Sequence, residues 1–155
     1  RHDVLVFQTP PLEQEVTVVG PVTVKLWASS SAVDTDFTAK LVDVHPPSGD
    51  FPHGFDMNLC DGIIRARYRD STERQEFMTP GQVYEFTIEL YPTANRFTKG
   101  HRIRVDISSS NFPRLDVNPN TGELLGRSRR TVIADNIVYH DTAHPSHIEL
   151  YVMES

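Results

Sequence analysis

The chain has 155 residues, a length suited to one domain built on a single hydrophobic core. Its net charge of −6 argues against a nucleic-acid partner, since phosphate binding needs clustered Lys and Arg. Hydrophobic residues make up 38%, and no apolar run approaches the roughly 20 residues needed to span a bilayer, which argues against a membrane partner.

The N-terminus, Arg1-His2-Asp3-Val4, lacks Met and has no signal-peptide layout. It reads as a fragment of a longer parent, whose own leader stays open, and a cytoplasmic location is the expectation. A first strand is predicted over 15–19, and Gly20-Pro21 is read as the break before the next. Val22, Val24, Leu26 and Ala28 then alternate with Thr23, Lys25, Trp27 and Ser29, the pattern of a strand with one buried face. Trp27 falls on the polar side. Cover by a neighbouring loop accounts for it, and stacking on a sugar is the alternative.

A third strand is predicted over 37–44, closed by the turn His45-Pro46-Pro47-Ser48-Gly49-Asp50, and a fourth over 62–68. Thr79-Pro80-Gly81 introduces a strand in which Tyr84, Phe86, Ile88 and Leu90 alternate with Glu85, Thr87 and Glu89. Glu85 and Glu89 are thereby a solvated face rather than a carboxylate pair for glycoside hydrolysis. Lys99-Gly100 precedes the alternating Ile103, Val105 and Ile107. Residues 111–126 form a long polar loop, of the kind that binds, meets a partner or moves. Arg127-Ser128-Arg129-Arg130 is a solvated loop flank. Strands over 131–139 and at Ile148, Leu150 and Val152 complete the chain. About eight or nine strands and no helix-period stretch predict an all-β fold: a jelly-roll-like, two-sheet β-sandwich of the galactose-binding-like kind, with 1–155 as one domain.

Chemistry is sparse. A serine hydrolase needs Gly-x-Ser-x-Gly at a strand-to-helix turn, and that motif is missing. The runs Ser29-Ser30-Ser31 and Ser108-Ser109-Ser110 are read as hydroxyls that bond backbone at strand ends. The lone Cys60 excludes an intramolecular disulfide and is read as a small buried apolar residue. His140, His144 and His147 have zinc-like residue types, but Pro145 breaks any element that would align them. Asp34, Asp36 and Asp116 lack a calcium-loop pattern. No cofactor, no metal and no catalytic residue is therefore expected.

Several segments taken together resemble the C-terminal domain of the X-Pro dipeptidyl-peptidase and cocaine-esterase (CocE/NonD) family of α/β-hydrolases. They are Arg1-x-Asp3-Val4-Leu5 with Thr9-Pro10-Pro11-Leu12, Val19-Gly20-Pro21, the stretch from Asp34-Thr35-Asp36-Phe37 to Val44, and Leu59-Cys60-Asp61-Gly62 with Arg65-Ala66-Arg67-Tyr68-Arg69. Phe97-x-x-Gly100-His101-Arg102-Ile103-Arg104-Val105, Ser108 to Arg114, Asn118-Pro119-Asn120 and His144-Pro145-Ser146-His147-Ile148-x-Leu150 continue the order. The resemblance implies a non-catalytic accessory domain whose partner is the α/β-hydrolase domain of a parent that hydrolyses esters or X-Pro peptides. That domain would carry the catalytic Ser, Asp and His, none of which maps here. The chain alone is then expected to be inactive. His101, although inside a hydrolase motif, is read as fixing a turn. The resemblance is dense around Asp34, Asp36 and Phe37, which become the candidates for the domain interface or a wall of the substrate pocket. Alternation sets Phe37 beside Ala39 and Leu41, so capping the sandwich core is its other reading. A homo-oligomer stays open, and an independent carbohydrate-binding module is the alternative function on the same fold.

Overall fold

A computed structural model describes residues 1–124 and 126–154. It contains eight strands: β1 (Leu5–Gln8), β2 (Val16–Ser30), β3 (Asp36–His45), β4 (Phe55–Arg65), β5 (Tyr84–Phe97), β6 (Arg102–Ser108), β7 (Asn136–Tyr139) and β8 (His147–Val152). Among the described residues the only helical turn is a 3-10 turn at Ala66–Tyr68. One sheet has the order β1-β6-β3-β4, the other β5-β2-β7 with β8 also on β2, and every pairing is antiparallel. The two sheets face each other as the expected sandwich.

β2 organises the second sheet. Its early part pairs with β8 and its last four residues with β7, so two short strands lie end to end along one edge. Gly20-Pro21 does not divide this strand, contrary to the sequence reading. Pro21 has no N–H to give the ladder, and the β2–β5 register slips between Gly20 and Val22, where Gly20 adopts φ 132°. The slip places an extra residue in β5 at Tyr91-Pro92, since Gly20 faces Thr93 while Val22 faces Leu90. Before it, Phe86, Ile88 and Leu90 point inward; beyond it the inward face passes to Asn95 and Phe97. That change of parity hid the second half of β5 from the alternation pattern. The strand predicted at 62–68 instead runs from Phe55 to Arg65, and only Asn136–Tyr139 of the 131–139 stretch pairs. β1 is an additional short edge strand on β6.

The core lies between the sheets, with Val22, Val24, Leu26, Phe37, Leu41, Phe86 and Ile88 all nearly inaccessible. Phe37 packs on Phe86 with ring centroids 4.8 Å apart. Burying each such side chain contributes about 1.5–3 kcal/mol. At one edge the sheets come together so closely that a Cβ on Gly62 would lie 2.3 Å from the Glu89 carbonyl oxygen of β5. Only glycine fits between those two backbones.

Both contacts predict stability effects measurable by urea denaturation followed by circular dichroism. Phe37→Ala will cost about 3–5 kcal/mol. Gly62→Ala will cost about 1–3 kcal/mol, because backbone rather than a mobile side chain must move. A Gly62→Ala chain as stable as the parent would show that the sheets are not held at this spacing.

Candidate functional site

β3 alternates between two environments. Phe37, Ala39 and Leu41 face the core, whereas Asp36, with Asp34 in the turn just before the strand, faces the long loop after β6. Pairing sets Asp36 directly opposite Arg65, and Arg65 Nε and Nη2 donate to the two Asp36 oxygens at 2.8 and 2.9 Å. Two residues on, in the 3-10 turn, Arg67 is buried with only 1% of its surface exposed. Its Nε donates to Asp34 Oδ2 and its backbone N–H to Asp34 Oδ1, both at 2.9 Å. Asn118 Nδ2 then bridges both carboxylates, to Asp34 Oδ2 at 2.9 Å and Asp36 Oδ1 at 2.8 Å. Arg67 Nη1 reaches the Glu123 carbonyl at 3.1 Å. A third buried carboxylate, Asp61, accepts from Asn111 Nδ2 at 3.0 Å and pairs with Arg114 at 2.8 Å.

The long loop is therefore pinned to the sandwich at several points along its length; its residue 125 lies outside the described residues. Asp34 and Asp36 are filled by guanidinium and amide donors rather than open to calcium, and Asp116 lies on the wall of the cleft below instead of joining them. This cleft, about 1030 Å³, runs along the loop and is lined by Asp36, Arg65, Phe112 and Leu124 among others. Phe37 backs a second cavity of about 370 Å³, together with Ser108, Ser109 and Asn118. A third, about 190 Å³ and almost wholly apolar, opens between the sheets against Phe7, Leu26 and Val138. Beside it the edge strand β1 exposes Leu5, Val6 and Phe7, and Ile133 is 91% exposed.

The hydroxyl runs serve the fold. Ser30 Oγ accepts from the Ala32 N–H, Ser31 Oγ from the Asp135 N–H, and Ser108 Oγ donates to the Ser110 carbonyl. Ser109 Oγ accepts from Asn136. Burial pushes the Cys60 thiol up to about 11, with the charge of Asp61 adding to the effect, so it is a neutral thiol at physiological pH. Trp27 meets His144 edge-on at 5.4 Å, so a neighbouring loop covers it. The three late histidines turn to different partners: His140 to Phe7, His144 to Asp141 and His147 to the Pro145 carbonyl.

His101 does stand at a turn, and its backbone N–H donates to the Thr98 carbonyl. Its ring goes further: Nδ1 lies 2.8 Å from Oδ1 of the buried Asp43. Asp43 Oδ2 accepts from Asn95 Nδ2 at 3.0 Å and lies 3.5 Å from His45 Nε2. Sequence reasoning missed Asp43 and His45. The available signal was a carboxylate on the inward face of β3, in phase with Phe37, Ala39 and Leu41, where an apolar residue belongs.

Residues 1–149 match the family described as the X-Pro dipeptidyl-peptidase C-terminal non-catalytic domain. The chain is 46% identical over 156 residues to a cocaine esterase from Rhodococcus sp. (strain MB1 Bresler), covering 99% of the chain and 26% of the esterase. Among solved structures it is similar to an aminopeptidase from a marine sediment Thaumarchaeota archaeon, at 32% identity and TM-score 0.93. It is also similar to an α-amino acid ester hydrolase, at 34% identity and TM-score 0.93. Both alignments cover 99% of this chain and 26% of the other. The chain thus spans about a quarter of the length of each of these relatives.

Removing one member of the Asp34–Arg67 pair leaves the other as an uncompensated buried charge. Asp34→Ala will therefore cost about 3–5 kcal/mol in urea denaturation, and proteolysis will cut first between residues 111 and 124 as the loop comes free. Unchanged stability would mean that this pair does not hold the loop. For Cys60, native protein at pH 8 will resist iodoacetamide, whereas denaturant will make the thiol react at once. Rapid native alkylation would show that the thiol is neither buried nor raised in pKa.

Proposed function

This chain belongs to the family of X-Pro dipeptidyl-peptidase C-terminal non-catalytic domains, and we propose that it is the accessory β-sandwich of a serine hydrolase, packed against an α/β-hydrolase domain that carries the catalytic Ser, Asp and His. The observation that carries this reading is the match of the whole chain, at 46% identity, to only 26% of an esterase. The cocaine esterase, the aminopeptidase and the α-amino acid ester hydrolase share, by name, cleavage of an ester or amide bond. The parent's substrate class is accordingly an ester or an X-Pro peptide.

The surface supports the partner. Leu5, Val6, Phe7 and Ile133 present apolar side chains to water, and β1 leaves one edge of its sheet unpaired. A neighbouring domain would bury both features. Asp34, Asp36 and Phe37 contribute from beneath: the two carboxylates hold the loop that shapes the large cleft, and Phe37 backs the smaller cavity. One wall of the substrate pocket forms from this surface when the hydrolase domain docks on it. Trp27, which a sugar-stacking module would use, packs edge-on against His144.

A graft tests the proposal. The purified chain alone will neither turn over a chromogenic short-chain ester nor take label from a serine-directed phosphonate. Replacing the corresponding quarter of the Rhodococcus esterase with this chain will give an enzyme that hydrolyses the ester, where the truncated esterase does not. Val6→Glu with Ile133→Glu will change the isolated chain's stability by no more than about 0.5 kcal/mol. In the graft the same pair will lower activity by roughly tenfold or more, as expected for charges placed in a buried interface. Labelling of a serine in the isolated chain, or a graft no better than the truncated esterase, would refute the accessory role.

A further inference from the structure

Asp43 is a carboxylate placed where the fold calls for an apolar side chain. It projects from β3 into the space between the sheets, with 2% of its side chain exposed. Three side chains from three directions converge on it. The β3–β6 register pairs Val44 with Arg102, and one further step sets His45 opposite His101. The two imidazoles accordingly lie with ring centroids 4.2 Å apart. Asn95 arrives from the opposite sheet because the Tyr91-Pro92 irregularity turned it inward.

We propose that Asp43, His45 and His101 form a binding site for a first-row divalent cation such as zinc, with Asp43 Oδ, His45 Nε2 and His101 Nδ1 as ligands. One ligand atom from each residue lies within 4.8 Å of the others. Ligands about 2.1 Å from one ion at a tetrahedral angle stand about 3.4 Å apart. His101 Nδ1 lies 2.8 Å from Asp43 Oδ1 and His45 Nε2 lies 3.5 Å from Asp43 Oδ2, so each imidazole is within or near that spacing of the carboxylate. One carboxylate and two imidazoles are donors suited to zinc, cobalt or nickel rather than calcium.

His45 supplies an independent observation. Its Nε2 is shielded from solvent, points at this cluster and has no hydrogen-bond partner. A buried polar atom left without a partner destabilises the fold, and a cation in reach of its lone pair satisfies it. Binding requires the His101 proton now shared with Asp43 to move from Nδ1 to Nε2, which leaves Nδ1 free to coordinate.

The surroundings fit a held ion. Asn95 anchors the carboxylate by its 3.0 Å bond, as an outer-shell partner does. Phe55 packs edge-on against the His45 ring at 5.8 Å and sets its orientation. Gly54, at φ 79°, lets the turn pass so close that a Cβ there would sit 2.7 Å from the His45 carbonyl oxygen. His45 also lines a surface cavity of about 290 Å³ beside His53 and Asp56, so the cluster lies close to the surface.

The test uses the untagged chain and the metal alone. Cobalt(II) will bind with one-to-one saturation and give the visible absorption of a low-coordinate site, and zinc will displace it. His45→Gln and His101→Gln, each checked for an unchanged thermal melt without metal, will weaken binding by about 100-fold or more, and Asn95→Ala by about 10–100-fold. His144→Gln will leave binding intact. Nuclear magnetic resonance on the unsubstituted chain identifies the ligands even if a variant unfolds. Zinc will shift the imidazole signals of His45 and His101 and spare those of His140, His144 and His147. No saturable binding, or zinc shifts confined to the late histidines, would overturn the proposal.

Discussion

The buried carboxylate of Asp34 constrains this domain more than any single apolar contact. An ionised group without access to water must be surrounded by donors, and isolated burial costs far more than the domain's net stability. Here the donors come from distant parts of the chain: the Arg67 backbone and guanidinium from beyond β4, and Asn118 from the long loop. Satisfying one residue in the turn before β3 therefore fixes the end of β4, the 3-10 turn and the loop together. Asp36 and Asp61 repeat the device with Arg65, Asn111 and Arg114. Such pairs contribute specificity more than net stability, since the desolvation of both charges offsets much of their attraction.

The sandwich is polarised along β3. At its start the even-numbered carboxylates face outward and tie down the loop that shapes the large cleft. Seven residues further, about 23 Å along an extended strand, Asp43 faces inward between two histidines. The apolar middle, with Phe37 and Leu41 against Phe86 and Ile88, separates the two ends. Two backbone irregularities make this possible. The slip at Tyr91-Pro92 turns Asn95 toward Asp43, and Gly62 lets β4 approach β5 without a side chain between them.

A non-catalytic family membership agrees with where the reactive groups are spent. The Ser30, Ser31 and Ser108 hydroxyls bond to backbone at strand ends, and the Cys60 thiol is held neutral by burial. The surface instead offers apolar residues on β1 and around Ile133, together with a cleft shaped by the pinned loop. Those are the features that the proposed docking of a hydrolase domain would use.

The all-β class, most strand positions and the absence of a nucleophile motif were legible in the sequence. Alternation is a local property that survives folding wherever one face is buried and the other is wet. The resemblance to the hydrolase family was legible too, because it rests on ordered short segments along the whole chain. The sequence could not show that Asp34 and Asp36 hold the long loop while Phe37 packs in the core; that followed from the loop covering one face of β3 while the other sheet covers its opposite face. The second half of β5 was hidden because one extra residue reversed its parity, and Gly20-Pro21 looked like a break because its missing donor falls at an irregularity that needs none. His101 was visible as a turn residue, yet its partners were not. Asp43, His45, Asn95 and His101 lie on three strands or strand ends, and only the register between β3 and β6 and the closure of the two sheets bring them together. Contacts made across sheets are set by pairing and packing, and no local pattern in a single strand encodes them.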